Sequence, residues 1–333
     1  MESAIPAELT VPRTRHPRVP DDFRPPYPSF VARHAPSVRQ LVMAYLGSQG
    51  ASGHEALDAA LGGPDGPGHW DRATQVADGL PSDVVTAAYW DDPAVFDRWF
   101  ARHREPWLTG GGGQGRWIEA IRPTVERYET IFGSRRRPEG VAVLAESFSG
   151  EIREHGYWGG MRDRMPASQH SPLHSPGELD VERDGARVRV RPRGSVCLIR
   201  SGQDWSDAAE DERRMYTEEV EPNLRAGMGF LREEGLAIGC FANRYLTVLD
   251  DAGSPTERTY GLSWWRTLAE LERWSETHPT HVAIFGAFGR LVRAQGARTQ
   301  LRLYHEVSVA TPDEQWFEYV DCHERTGLLR AAP

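Results

Sequence analysis

Two eleven-residue segments, YWDDPAVFDRW at 89–99 and WWRTLAELERW at 264–274, align without a gap and match Trp90 with Trp265, Ala94 with Ala269, Arg98 with Arg273 and Trp99 with Trp274. In both, an apolar run ends near the first tryptophan and a helical pattern opens a few residues later, at Pro93 or Leu268. An internal duplication at a strand-to-helix junction constrains the chain to two similar halves, and 333 residues are enough for both.

The order of elements is clearest in the second half. A strand over 195–201 leads through GQDW into a helix with Ser206 as its N-cap, acids in its first turn and Gly235 at its end. Strands over 237–249 and 258–265, helices over 268–275 and 279–294, and a strand over 301–309 follow, so the order is βαββαβ. The first half fits the same plan with strands over 39–46 and 84–90, helices after Pro93 and over 117–132, and a strand over 141–147. The expected fold is therefore α+β, with tandem ferredoxin-like halves of the dimeric α+β barrel type. Antiparallel sheets flanked by helices leave a natural ligand cavity between sheet and helix. The expected divisions are an extended arm over 1–36, a first half over 37–180 and a second half over 181–333. The arm, rich in Pro and Arg, needs a body or a partner subunit to lie against.

Lysine is absent, so all 39 basic residues are arginine, which removes Schiff-base chemistry, pyridoxal-phosphate attachment and the phosphate-loop lysine. The run LTGGGGQGRW at 108–117 then reads as a flexible loop. A net charge of −9, with arginines dispersed, argues against a nucleic-acid partner. No apolar run reaches the ~18 residues of a membrane span, and the first thirty residues carry no apolar signal core, so a cytoplasmic location is expected. Cys197, Cys240 and Cys322 have no ligand spacing and read as reduced packing residues.

Five residues stand out as carriers of chemistry. In LRLYHEVSV, alternation puts His305 on the face of Leu301, Leu303, Val307 and Val309, either as a hydrogen-bonded core histidine or as part of a site. In THPTHVAIFGAFGRLV, His281 precedes Ile284, Phe285, Phe288 and Val292 on an apolar helical face opened by Pro279. A neutral imidazole in such surroundings is the usual protein ligand of a haem iron, whereas HPTH lacks the companions of a zinc site. Ser201, at the lip of a strand, is a turn residue or a hydrogen-bond donor to a ligand, since no nucleophile elbow surrounds it. Arg164 closes the aperiodic, aromatic stretch SGEIREHGYWGGMRDRMP, as an anchor for a substrate or as half of a surface ion pair. Glu129, in VERYETIF, reads first as a helix-surface carboxylate at the edge of an apolar stripe.

Over nearly its whole length the chain resembles the aldoxime dehydratases, haem enzymes that turn aldoximes into nitriles. The resemblance rests on MESAI, VMAYLG, SGEIREHGYWGGMRDRMP, LIRSGQDWSDAAEDER, LERWSETHPTH and LRLYHEVSV. It implies that His281 is the proximal ligand of a haem b whose iron is ferrous in the active state, and that His305 is the distal acid and base. It further implies that Ser201 binds the substrate hydroxyl, that Arg164 orients substrate or assists proton delivery, and that Glu129 belongs to a proton relay. A homodimer, a small aldoxime substrate and a nitrile-consuming neighbour, a nitrilase or nitrile hydratase, are implied with them. Two other readings stay open here: a haem peroxidase or chlorite-dismutase-like enzyme on the same fold, and a haem-binding sensor whose distal side needs no proton donor.

Overall fold

The computed structural model describes residues 1–50, 54–75, 83–155 and 160–332. The first part of the chain runs β1 (Ala32–Arg33), β2 (Val42–Gln49), α1 (Glu55–Leu61), β3 (His69–Gln75), β4 (Asp83–Trp90), α2 (Pro93–Thr109), β5 (Arg116–Ile121), β6 (Tyr128–Phe132), β7 (Ser147–Phe148) and α3 (Gly160–Arg164). The hairpin β8 (Leu179–Asp184) and β9 (Arg187–Pro192) leads to β10 (Val196–Asp204), α4 (Glu210–Met215) and α5 (Glu221–Glu234). Then come β11 (Cys240–Leu249), β12 (Pro255–Trp265), α6 (Leu268–Thr277), α7 (Pro279–Gln295), β13 (Arg302–Ala310) and β14 (Gln315–Val320).

Twelve strands form one sheet in the order β6-β13-β10-β12-β11-β3-β4-β2-β5-β14-β9-β8, with neighbours antiparallel throughout. Two βαββαβ units lie within it, and in both the first and third strands of the unit sit in the middle, as expected for ferredoxin-like halves. The units meet through β11 and β3. Each lends its next strand to the other: β6 pairs with β13 and β14 pairs with β5. The position between 180 and 181 falls inside β8.

The sheet curls so that the inner faces of the two units share one core. Tyr45 meets Trp264 edge-on at 6.2 Å, Arg244 donates to Glu119 at 2.7 and 2.9 Å, and Tyr89 donates to Glu306 at 2.7 Å. The outer faces take the helices, and here the duplication is visible in the packing. Trp90 packs on Trp99 with tilted rings at 5.2 Å against α2, and Trp265 on Trp274 in the same way at 5.7 Å against α6. On the second unit, Leu224, Met228 and Leu231 of α5 and Leu268, Leu271 and Trp274 of α6 cover Cys197, Val307 and Val309 of the sheet.

Several local expectations fail for identifiable reasons. The segment 117–132 is two strands, not a helix, because both sides of β5 are buried and its apolar run therefore lacks strand alternation. The segment 141–147 forms a 3-10 turn, Gly140–Leu144, before the two-residue β7. Gly140 sits at φ +57°, where a Cβ would come within 2.5 Å of the Glu306 carboxylate, and the next amide, Val141, donates to that carboxylate. Ser206 caps no helix: it bonds Asp204 at 2.6 Å, and α4 opens at Glu210, behind Ala209. Gly235 does end α5.

The N-terminal arm lies on its own chain. The amides of Arg18 and Val19 donate to the Asp163 carboxylate, Ala4 donates to Glu154, and Thr14 and Arg15 donate to the Gln169 carbonyl.

Candidate active site

The hairpin of α6 and α7 places His281. Helix α6 runs to Thr277, and the residue four beyond Ser275 is Pro279, which has no N–H to return to the Ser275 carbonyl. His281 takes that place: its Nδ1 lies 2.9 Å from the Ser275 oxygen, and since a carbonyl only accepts, Nδ1 carries the proton. This bond fixes the tautomer in which Nε2 holds the lone pair a metal would take. His278 and Pro279 open α7 as N-cap and first residue, and Trp274 meets the His281 ring edge-on at 4.5 Å. Burial pushes the ring down to about 4, against the Ser275 bond, which raises it, and the charge of His305 adds to the depression. His281 is therefore neutral at physiological pH.

Facing this hairpin, one row of the sheet carries the remaining candidates. His305 on β13 is the direct partner of Ser201 on β10 and of Ile131 on β6. Direct antiparallel partners share a face, so the imidazole and the hydroxyl stand side by side. Glu129 pairs with Val307, two residues along, and so shares that face too.

Arg164, from the short helix α3, closes the group from above. Its Nε donates to Glu129 Oε2 at 2.6 Å, its Nη1 to the Glu154 carbonyl at 2.8 Å, and its Nη2 lies 2.9 Å from His305 Nε2. Glu129 Oε1 lies 3.1 Å from the same His305 nitrogen. Both charged side chains are sealed from solvent, at 2% and 1% exposure, while the His305 side chain keeps 26%. Burial alone would raise the Glu129 carboxyl; Arg164 and His305 outweigh it and hold the group below the ordinary carboxylate range, so it stays ionised.

The five candidates thus fall in two groups on facing elements: His281 on α7, and Ser201, His305, Glu129 and Arg164 around the sheet face opposite. Glu129 is a buried strand carboxylate, not a helix-surface one, and Arg164 is buried, not half of a surface pair. The GYWG part of the aromatic stretch, 156–159, lies outside the described residues. Reading the sequence missed Ser275 and Glu154, which act through backbone carbonyls. For Ser275 a signal exists in S-E-T-H-P-T-H: a proline four residues beyond frees its carbonyl, and a histidine two further on can reach it.

The surroundings of His281 suit a haem. Among the described residues no group of three or more His, Cys, Asp or Glu side chains gathers to hold a bare ion. Instead, α7 presents Val282 and Phe285, 46% and 37% exposed, with Ile284 and Phe288 beside them, which is apolar surface for a porphyrin to cover.

Comparison with known proteins gives the family. A family model described as haem-containing dehydratase matches residues 45–328. The aliphatic aldoxime dehydratase of Pseudomonas chlororaphis is 41% identical, over 100% of this chain and 99% of its own length. The phenylacetaldoxime dehydratase of Bacillus sp. (strain OxB-1) is 32% identical, over 93% of each chain. Among solved structures, an aldoxime dehydratase in complex with butyraldoxime superposes with a TM-score of 0.92 at 40% identity, covering 99% of this chain and 96% of that one. With a family model over residues 45–328 and this full-length similarity, the chain belongs to the haem-containing dehydratase family.

Proposed function

We propose that the protein dehydrates aldoximes, R–CH=N–OH, to nitriles and water, and that short aliphatic aldoximes are its substrates. The full-length similarity to aldoxime dehydratases carries this reading and disfavours a peroxidase, a chlorite dismutase or a sensor. The higher identity to the aliphatic enzymes, 41% against 32%, supports the substrate class.

His281 would hold haem b through Nε2, and Ile284, Phe285 and Phe288 would cover the macrocycle. Bound ferrous haem supplies a site for the oxime nitrogen and electron density that weakens the N–O bond. The chain's own part is proton transfer and orientation. Ser201 donates a hydrogen bond to the substrate hydroxyl and aims its oxygen at the neighbouring His305. His305 protonates that oxygen, the N–O bond breaks and water departs; the same imidazole then takes the carbon-bound proton as the C≡N bond forms. One proton leaves His305 and one returns, so the balance closes without net oxidation.

His305 Nε2 faces Glu129 and Arg164, which leaves Nδ1 as the nitrogen that serves the substrate. In both halves of that cycle Nε2 keeps its proton and donates it to Glu129, while the proton that moves is carried on Nδ1. Arg164, bonded to the same carboxylate, holds Glu129 in place. Arg164 and Glu129 are in this reading the relay that steadies His305.

The chain is further proposed to work as a cytoplasmic homodimer, its arm over 1–36 and its halves over 37–180 and 181–333 acting as one unit, with a nitrilase or nitrile hydratase consuming its product. Among the described residues no helix is long and apolar enough to cross a membrane. The test is to reduce the haem-loaded protein anaerobically, add butyraldoxime and measure butyronitrile. Turnover of aldoxime, with no compound formation on adding peroxide, supports the reading; peroxide turnover without nitrile overturns it.

A further inference from the structure

The two sides of the site are tied together by an ion pair that touches neither. Arg162, two residues before Arg164 on α3, grips Glu272 on α6 in a bidentate fork: Nε donates to Oε1 at 2.9 Å and Nη2 to Oε2 at 2.7 Å. The Glu272 carboxylate is 5% exposed and the Arg162 side chain 13%. Glu272 stands one helical turn before Ser275, whose Oγ donates to the Glu272 carbonyl at 2.9 Å and whose own carbonyl holds His281. At the other end, α3 carries Arg164 directly onto His305 and Glu129.

The arm closes the same joint. Arg18 donates through its backbone to Asp163, on α3, while its guanidinium lies 3.6 Å from Glu272 and pairs with Glu276. Arg162 also donates to the Pro172 carbonyl at 2.6 Å, which anchors the fork on a third segment. Over its described residues, Gly160–Arg164, α3 is held by these anchors on the arm, on α6 and on the Pro172 segment.

We infer that Arg162 and Glu272 are positioning residues that set the spacing between the His281 side and the His305 side of the haem slot. A buried, bidentate pair is costly to form and valuable chiefly for the geometry it imposes. Loosening it lets α3 and α6 move relative to each other, so the orientation of His281 and the contacts of Arg164 with His305 and Glu129 are both disturbed. This inference rests on the roles assigned above to His281 and His305.

The experiment is Glu272→Gln, with Arg162→Lys as the gentler variant that keeps the charge and loses the planar fork. Both are prepared as haem-loaded enzyme. The proximal readouts are the iron–histidine stretching band of the ferrous protein and the rate of haem transfer to a scavenger. The distal readout is the split between kcat and KM together with the pH profile of kcat. In Glu272→Gln the band shifts, haem leaves about 10-fold faster, and kcat falls about 10- to 100-fold with an altered pH profile and KM within about twofold. Arg162→Lys moves both sides in the same sense by less. A variant that changes one side alone, or lowers Tm with both sides at wild-type values, overturns the inference; should Glu272→Gln fail to fold, Arg162→Lys decides. Retention of haem by His281→Ala would instead overturn the ligand assignment, and is measured separately.

Discussion

His281 donates from Nδ1 to the carbonyl of Ser275 at 2.9 Å because Pro279 has no N–H to offer that carbonyl. A helix end and the orientation of the His281 ring are thus settled by one residue. Pro279→Ala restores an amide that competes for the Ser275 oxygen. The expected result is haem loss about 10-fold faster than in the parent, with the fold retained, measured by transfer to a haem scavenger and by far-ultraviolet circular dichroism.

Ser201→Ala removes the hydroxyl beside His305 and leaves the strand pairing, made by backbone, in place. Haem content is expected to stay stoichiometric while kcat falls by about 10- to 100-fold, the worth of one hydrogen bond to a reacting oxygen. Steady-state nitrile formation together with the haem spectrum checks both halves of the statement.

Glu129→Gln keeps the shape of the side chain and removes the charge that the His305 imidazolium donates to. It also leaves Arg164 buried without its counter-charge, at 2% exposure. His305 then loses its anionic partner while it delivers the proton, so kcat is expected to fall by about 10-fold or more with haem content unchanged. Steady-state nitrile formation and the haem spectrum of variant and parent at saturating aldoxime check both.

Away from the site, burial pushes His34 down to about 4, against a nearby Asp91 that raises it, from an ordinary value of 6.5. Between those values the unfolded chain binds a proton that the folded chain does not, so this histidine costs stability as pH falls from 6.5 to about 4 and nothing above that window. His34→Gln should therefore gain in Tm relative to the parent on acidification through that window and match the parent's slope above pH ~7. Thermal unfolding of the apoprotein across pH reads the difference.

What was legible in the sequence is what local pattern encodes. The tryptophans of the duplication mark two strand-to-helix junctions because each pair, Trp90 with Trp99 and Trp265 with Trp274, packs across its own junction. His281 and His305 stood out because a titratable ring on an apolar face is costly unless something uses it. Glu129 was misread because β6 lies on the sheet edge with Tyr128 and Thr130 buried on its other side, so no alternation of polar and apolar residues marks it as a strand. Its meeting with Arg164, 35 residues on, depends on α3 folding back over the sheet, which no local pattern states. The exchange of β6 and β14 between the units was likewise invisible, since a strand's partner is set by tertiary closure.

In the proposed function two histidines divide the work, His281 holding the haem and His305 moving the proton. The most direct measurement is haem stoichiometry and nitrile turnover in His281→Ala and His305→Ala, reconstituted side by side. His281→Ala is expected to lose haem, while His305→Ala binds it fully and turns over at least about 100-fold more slowly. A His281→Ala protein with a full complement of haem, or a His305→Ala protein with parental kcat, would contradict it.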